Sequence, residues 1–404
     1  MPRRKAVRTS TLSTALIGFS LVAGGSALSM GLASLGARPG PQSPARQVGV
    51  VGPDGRGDPR GCIFDERLAS YAAGWPFDLC DCPYPPACDD PINRDAAIPT
   101  PATPMKVVRI RVVVFANDDG SDPTSVLGEV EDQIAVLNAD FAQHRFYFQH
   151  TVDFINSTAA RIGAIPATVF AENPGVQCNV YVVATNGSSA TGPWESQALA
   201  DEGGVLMSED HFASDLHVLT HEMGHTLGLW HTFHGSQLNI ACGVGPCHDC
   251  SESVGAANTD LVGDHCSDTP PMLAGGFATC TSPTGIDPCS GRPWGAMPEN
   301  YMDYAGALLP GCDMLFTPQQ SGRMHCWSAD ELSAWFSAPG DLNGDGFVNI
   351  ADPIFLKDYL FGGGAAPNPL CRGDVNGDGG IDIADMIYLL NYLFSQGPAP
   401  TDGC

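Results

Sequence analysis

The sequence predicts an α+β domain followed by a small all-α domain at the C-terminus. Between residues 105 and 231, short β-branched runs alternate with amphipathic helical stretches, as in a sheet backed by helices. After residue 338, an acidic loop pattern occurs twice, each time ahead of an apolar helix. A length of 404 residues suits two folded units. We therefore place the main domain at residues 105–337 and the all-α domain at residues 338–404.

The main domain is expected to contain a twisted mixed sheet, a backing helix and a second helix. Strands are predicted by β-branched runs at about residues 107–115, 145–155, 177–184 and 204–208. The backing helix is indicated by apolar residues at spacings of three and four, namely Val126, Val130, Ile134, Leu137 and Phe141. The second helix is predicted from about Ser214, a suitable N-cap followed by Asp215. Beyond His231 the periodicity fades, so we expect disulfides and metal to hold that half together.

The N-terminal region has the layout of a secretory signal. Basic residues at positions 3–8 precede an apolar stretch, and small residues follow until about Ala37, which predicts a signal peptide at residues 1–37. The apolar stretch is interrupted by Gly24 and Gly25 and falls short of the ~20 residues that span a bilayer. A retained anchor is the alternative, but no stable membrane span is expected. Residues 38–104 are rich in Pro and Gly and are interpreted as a pro-region or linker.

Charge and cysteine content narrow the class of protein. The formal net charge is −26 with only 19 Lys and Arg residues, which argues against nucleic acid as a partner and suits cations instead. Fifteen cysteines in an exported chain indicate disulfides. Because fifteen is odd, at least one cysteine is free, intermolecular or a ligand. A secreted, extracellular or cell-surface location follows from these features.

The segment from His221 to His231 has the spacing of a catalytic metal site. Two histidines four residues apart share one helical face, so His221 and His225 can bind the same cation. Gly228 permits the positive φ that ends the helix, and the chain can then bring His231 in as a third ligand. Three imidazoles leave the fourth position of Zn²⁺ to water, and Glu222 is placed to act as a general base. The alternative is a chance string on an amphipathic helix, which the third histidine at a fixed offset disfavours.

This spacing resembles the extended zinc motif of the metzincin peptidases. The resemblance implies a metzincin-type catalytic domain with a methionine turn below the metal. In Asn300 to Tyr304, Met302 matches that methionine, and Tyr304 matches the tyrosine that in several metzincin families stabilises the tetrahedral intermediate. The alternative for Met302 is an ordinary core residue.

Within the metzincins the chain is most similar to the pappalysin (cytophagalysin) family. The residues that carry the resemblance are Gly228 to Phe233, Asp268 to Pro271, Asn300 to Tyr304, Phe316 to Gln319, and Arg323 with Met324. The family implies an exported, often calcium-stabilised endopeptidase that is made as a zymogen. It also implies a calcium site at Asp268 and Thr269, with an Asp-capped turn as the alternative.

The family further implies disulfides between Cys280 and Cys312, and between Cys289 and one of Cys242, Cys247 and Cys250. It gives no partner for Cys266 or Cys326. An Arg-Cys-Gly-Thr motif often caps the zinc in the pro-segment, whereas this chain has Arg60-Gly61-Cys62-Ile63. Cys62 is therefore either a latency cysteine or part of a structural disulfide.

The C-terminal domain repeats with a period of 33 residues. Oxygen-bearing side chains occupy loop positions 1, 3, 5, 9 and 12, which suits Ca²⁺. These are Asp341, Asn343, Asp345, Asn349 and Asp352 in the first loop, and Asp374, Asn376, Asp378, Asp382 and Asp385 in the second. The pair resembles a dockerin, an EF-hand-like module that implies a cohesin partner on a scaffold or surface; an acidic calcium-stabilised cap is the alternative. Cys371 and Cys404 close the two repeats in register, which suggests that they pair.

Together these features predict a secreted zinc endopeptidase that acts on proteins or peptides and is tethered through its calcium-binding tail. One alternative is a calcium-dependent adhesion or scaffold protein with an inactive peptidase domain, although all three histidines and Glu222 are present. Another is a zinc hydrolase acting on a non-peptide amide, which the turn from Met302 to Tyr304 disfavours.

Overall fold

A computed structural model describes residues 87–166, 168–169, 177–185, 187–193, 203–213, 217–234, 252–272, 285–295, 297, 299–304 and 314–404. Within these ranges, none of the helices combines the length and the apolar character that crossing a bilayer requires. The predicted signal peptide and Cys62 lie outside the described residues.

The main domain is built on a mixed sheet with the strand order β2-β1-β3-β5-β4. Its strands are β1 Lys106–Ala116, β2 Phe146–Asn156, β3 Cys178–Val183, β4 Ser189–Ala190 and β5 Gly204–Ser208. Strand β1 pairs in parallel with β2 and β3, and β3 pairs in parallel with β5. Strand β4 is antiparallel to β5. The predicted fold class and the positions of β1, β2, β3 and β5 are confirmed, whereas the two-residue strand β4 was not predicted.

The described residues form eight α-helices, numbered here in chain order. They are α1 Pro91–Ala96, α2 Leu127–Phe141, α3 Thr158–Arg161, α4 Glu209–Phe212, α5 Val218–Thr226, α6 Pro318–Ala329, α7 Ala351–Lys357 and α8 Ile383–Ser395. Helix α2 is the predicted backing helix, and its apolar stripe from Val130 to Phe141 is buried in the main core. Val126 is the exception, because it precedes the helix and is 50% exposed.

The two faces of β1 bury different clusters because successive side chains point to opposite sides of a strand. Even-numbered residues such as Val108 and Val112 belong to the main core with helix α2. Val113 and Phe115 lie on the other face, in a smaller cluster with Tyr181. The sheet is therefore buried on both faces around Val112 to Phe115, which explains why β1 is continuously apolar there.

Two helix predictions need correction. Helix α5 begins at Val218 rather than near Ser214, and its N-cap is His217; Ser214 lies outside the described residues. Helix α6 lies in the half where no regular structure was predicted. Its start signal is a capping box, in which Thr317 and Gln320 exchange hydrogen bonds with each other's backbone around Pro318. The apolar periodicity of α6 is weak, since many of its buried residues are polar or small.

Residues before position 105 form part of the main domain. Cys88 is disulfide-bonded to Cys326 of helix α6, which gives a partner to a cysteine that had none in the sequence prediction. Next to it, Asp89 forms an ion pair of 2.6 Å with the buried Arg323. Helix α1 packs on α6, and the buried Arg94 donates to the carbonyl of His265 at 2.6 Å. We therefore extend the proposed domain from residue 105 back to Ala87, the first residue that the structure describes.

Removal of the Cys88–Cys326 disulfide is expected to destabilise the domain. The bond closes a loop of 238 residues, so its loss frees much of the unfolded chain. In the Cys88→Ser/Cys326→Ser variant we expect the free energy of unfolding to fall by about 2–5 kcal/mol. Urea unfolding would measure this, with the single variant Cys266→Ser as a control because Cys266 is a free thiol. An unchanged midpoint in the double variant contradicts the prediction.

The C-terminal module, residues 338–404, has its own small core. Helices α7 and α8 pack against each other through Leu356 and Leu389, which are fully buried. The predicted pairing of Cys371 with Cys404 is confirmed, because the two cysteines form a disulfide. The other predicted disulfides lie outside the described residues, except that Cys289 is disulfide-bonded.

Candidate active site

Three histidines converge at the end of helix α5. The Nε2 atom of His225 lies 3.1 Å from the Nε2 atoms of both His221 and His231, and the latter two are 3.2 Å apart. All three side chains are fully buried. Four-coordinate zinc with Zn–N bonds of about 2.0–2.1 Å places its nitrogen ligands roughly 3.3 Å apart. The spacing therefore fits a single tetrahedral metal ion.

Hydrogen bonds on the outer ring nitrogens orient these ligands. His221 Nδ1 lies 2.6 Å from the carbonyl oxygen of Tyr301, and His225 Nδ1 lies 2.8 Å from that of Leu229. A carbonyl can only accept, so Nδ1 carries the proton and the lone pair of Nε2 points at its neighbours. This is the tautomer that a metal ligand requires.

Gly228 allows the chain to turn from His225 to His231. Its φ is +104°, a region that favours glycine. A Cβ at this position would lie 2.0 Å from Cδ1 of Trp327 in helix α6. The carbonyl of Gly228 also accepts from Nε of Arg323 at 3.1 Å. The turn is therefore fixed by helix α6 as well as by its own backbone.

A Gly228→Ala substitution is expected to destabilise the protein by about 1–3 kcal/mol or more, because a positive φ and an indole ring both oppose the methyl group. Since the turn positions His231, we also expect weaker metal binding, measured by competition with a chromogenic chelator. Gly128→Ala is the control, because a Cβ there meets nothing within 4 Å. Wild-type stability and metal affinity in Gly228→Ala argue against this role for the turn.

Glu222 and Tyr304 complete the predicted site. Glu222 follows His221 on helix α5 and is fully buried. The Tyr304 ring centroid lies 4.8 Å from that of His231 and 6.1 Å from that of His221. The tyrosine that was predicted from a motif seventy residues downstream is thus beside the histidines.

Met302 lies under helix α5. Its Sδ atom would be 2.5 Å from a Cβ placed on Gly224, and its side chain is fully buried. The N–H of Thr232 donates to the carbonyl of Met302 at 3.2 Å, which ties the turn to the segment after His231. The close approach of the Met302 sulfur leaves no room for a Cβ at position 224, which explains the glycine there.

Sequence reasoning missed Asp140, which links helix α2 to the histidine site. One oxygen of its carboxylate lies 2.7 Å from His217 Nδ1 and 2.5 Å from Thr220 Oγ1, at the start of helix α5. Burial, together with Asp140, raises the pKa of Tyr301, whose carbonyl holds His221. Asp140 belongs to a stretch that was read only for its apolar stripe, so no sequence signal singled it out.

A second group of acidic residues lies near Asp268 and Thr269. Glu252 and Asp264 are each 1% exposed, and burial raises the pKa of both carboxyl groups. Thr269 Oγ1 lies 2.6 Å from Asp264 Oδ2, whereas Asp268 accepts from the N–H of Gln319 at 2.9 Å. Among the residues that the structure describes, no side chain donates a hydrogen bond to either buried carboxylate oxygen of Glu252. Thr269 thus lies with the buried pair, while Asp268 caps helix α6.

The two acidic loops of the C-terminal module share one pattern of hydrogen bonds. In the first loop, Asp341 accepts from the N–H groups of Gly344 and Gly346 at 2.9 and 3.1 Å. The residues 33 positions later repeat this at 2.8 and 2.9 Å, namely Asp374, Gly377 and Gly379. In each loop the carboxylates of positions 1 and 12 are buried and that of position 5 is exposed. Converging carboxylates in tight, glycine-containing loops fit calcium.

Comparison with known proteins agrees with this geometry. Residues 184–328 match the peptidase family model described as pregnancy-associated plasma protein-A, and residues 339–394 match the dockerin type I domain. Human pappalysin-1 is 34% identical over 150 residues, which cover 36% of this chain. The chain spans only 8% of the length of that protein and of its mouse counterpart.

A shorter relative is covered almost completely. An extracellular metalloprotease of Colletotrichum graminicola is 30% identical over 267 residues, which make up 60% of this chain and 84% of that protein. The match to the solved structure of a Tannerella forsythia promirolysin mutant covers 59% of this chain and 84% of that one, with 19% sequence identity and a TM-score of 0.40. The chain therefore belongs to the pappalysin family of metalloproteases and carries a dockerin type I domain at its C-terminus.

Proposed function

We propose that this metalloprotease is a zinc-dependent endopeptidase in which Glu222 is the general base. The observation that carries the proposal is the convergence of three Nε2 atoms, 3.1–3.2 Å apart, on the helix that also bears Glu222. Bound zinc would lower the pKa of a water molecule toward ~7 and polarise the substrate carbonyl. The zinc ion would be held by three ligands, namely His221, His225 and His231.

The protein's own residues then carry the protons. Glu222 accepts a proton from the attacking water and passes it to the nitrogen of the scissile bond, so the nitrogen departs as a neutral amine rather than as an amide anion. Tyr304, beside His231, donates a hydrogen bond to the oxygen that becomes negative in the tetrahedral intermediate. Met302 keeps the floor of the site apolar and supports helix α5.

We further propose that calcium binds at three places. Two are the loops from Asp341 to Asp352 and from Asp374 to Asp385, and the third lies at Glu252, Asp264 and Thr269 of the peptidase domain. The third site shares Thr269 with the pair Asp268 and Thr269 predicted from the sequence, and Asp268 lies close enough for its charge to raise the pKa of Asp264. Burial and the nearby charge of Asp264 both oppose ionisation of Glu252, a cost that a bound cation would offset, and among the described residues no side chain donates a hydrogen bond to the Glu252 oxygens.

Export and tethering complete the proposal. Several relatives are named extracellular metalloproteases, and the N-terminal composition is that of a signal peptide. The dockerin domain supports binding to a cohesin on a scaffold or cell surface. We propose four segments: a signal peptide at 1–37, a pro-region or linker that ends before Ala87, the peptidase domain to residue 337, and the dockerin domain at 338–404.

The direct test is metal analysis and cleavage of a mixed peptide library by the purified mature protein. We expect one zinc per chain, loss of cleavage after treatment with a zinc chelator, and recovery on adding zinc in the presence of calcium. A folded, zinc-loaded protein that cleaves no peptide would instead favour a scaffold or adhesion role. Absence of zinc from the folded protein overturns the enzymatic proposal.

A further inference from the structure

The C-terminal module lies on one face of the peptidase sheet. Odd-numbered residues of β1 and β2 point away from the main core, and at one end the cluster around Val113 and Phe115 covers them. At the other end, Arg109 of β1 is the register partner of Gln149 of β2. These two side chains meet the module, and β2 is the edge strand of the sheet.

The first calcium loop makes this contact through its backbone. A Cβ placed on Gly346 would lie 2.1 Å from Nη1 of Arg109, and one on Gly344 would lie 2.4 Å from Nε2 of Gln149. Both glycines have positive φ, +75° at Gly344 and +89° at Gly346. The tight turn of the loop is therefore the surface that fits against the strands.

Two other parts of the module reach the same surface. Tyr147, two residues before Gln149 on β2, donates a hydrogen bond to the side chain of Asn368. Arg145, just before β2, donates to the carbonyl of Cys404, which the disulfide to Cys371 fixes to the module. The contact thus extends along alternate residues of the edge strand.

Within the described part of the chain, the glycines of the second loop have no neighbour on the peptidase sheet, although they share the positive φ of the first loop. Gly379 corresponds to Gly346 in the repeat and has a φ of +90°. A Cβ at Gly379 would meet nothing within 4 Å. The two loops therefore differ in surroundings rather than in conformation.

We propose that the first calcium loop is an intramolecular docking site that clamps the dockerin domain onto strands β1 and β2 of the peptidase domain. A loop carrying Asp341, Asp345 and Asp352 adopts its tight form when a cation neutralises these carboxylates, so the clamp forms with calcium bound. The second loop binds calcium without this role. The proposal rests on calcium binding by the loops, and its test separates the two.

The test is hydrogen exchange of the full mature chain with calcium, read by mass spectrometry on peptides covering residues 144–150 and 334–340. In Gly346→Ala and Arg109→Ala we expect a several-fold rise in deuterium uptake at these peptides. Gly379→Ala is the matched control, since it imposes the same backbone strain away from the peptidase domain, and we expect wild-type uptake there. Calcium chelation alone does not test the clamp, because it would also remove calcium from the proposed site at Glu252.

Calcium titration of the same variants separates the clamp from calcium binding itself. Arg109→Ala changes no loop residue, so it should retain both module sites while uptake rises at residues 144–150. Equal uptake in Gly346→Ala and Gly379→Ala, or wild-type uptake in Arg109→Ala, overturns the clamp. If the wild-type chain shows no calcium binding at the module, the proposal that the two loops bind calcium is overturned instead.

Discussion

Glu222→Ala is expected to lower kcat/KM for peptide cleavage by about 10²–10⁴-fold, because the attacking water loses its proton acceptor. Zinc content should not change, since the three imidazoles stay in place and so do the Nδ1 partners of His221 and His225. The measurement is cleavage of the best library peptide, with zinc determined on the same sample. This pairing distinguishes loss of the base from loss of the metal.

Glu209→Ala is a matched control for Glu222→Ala. Glu209 is also a glutamate on a helix, since it is the first residue of α4. Its carboxylate forms an ion pair with Arg161 rather than belonging to the histidine site. We expect its kcat/KM to stay within a few-fold of the wild-type value. Equal cleavage by Glu222→Ala and the wild type contradicts the assignment of the general base.

Arg323→Met is expected to lower the free energy of unfolding by about 3–5 kcal/mol, the cost of leaving a buried charge unpaired. Arg323 is fully buried, and its Nη1 atom lies 2.6 Å from Oδ1 of Asp89. Its Nε–H also holds the carbonyl of Gly228, so the turn before His231 should loosen. Chemical denaturation measures the first effect, and chelator competition measures the second.

The double variant Asp89→Asn/Arg323→Met separates the two roles of Arg323. Replacing both charges removes the unpaired carboxylate, so most of the lost stability should return. Metal affinity should stay reduced, because the hydrogen bond to Gly228 is absent in both variants. If the double variant is as unstable as Arg323→Met alone, the unpaired charge of Asp89 is not the cause.

The sequence predicted the elements that local pattern determines. The β-branched run of β1, the stripe of α2 and the spacing from His221 to His231 each lie within a short stretch of chain, and their side-chain periodicity is strong. Tyr304 was placed through a family motif rather than through spacing. The ring centroids of Tyr304 and His231 lie 4.8 Å apart, so the motif correctly predicted a tyrosine beside the histidines.

What the sequence did not reveal depends on contacts between distant segments. Helix α6 buries polar residues such as Gln320 and Arg323 against other parts of the fold, so its apolar pattern is weak. Asp140 reaches helix α5 from 80 residues away. Glu252 and Asp264 are 12 residues apart in a stretch without periodicity, and only the fold brings them close enough for the charge of Asp264 to raise the pKa of Glu252.

The disulfide between Cys88 and Cys326 constrains how a precursor could mature. A protease that cuts after Cys88 would leave the severed strand covalently attached to helix α6, with Asp89 still beside Arg323. Only a cut before Cys88 can release the preceding residues. If the residues before Cys88 are released during maturation, the cut has to fall on the N-terminal side of this bond, and N-terminal sequencing of the released enzyme would locate it.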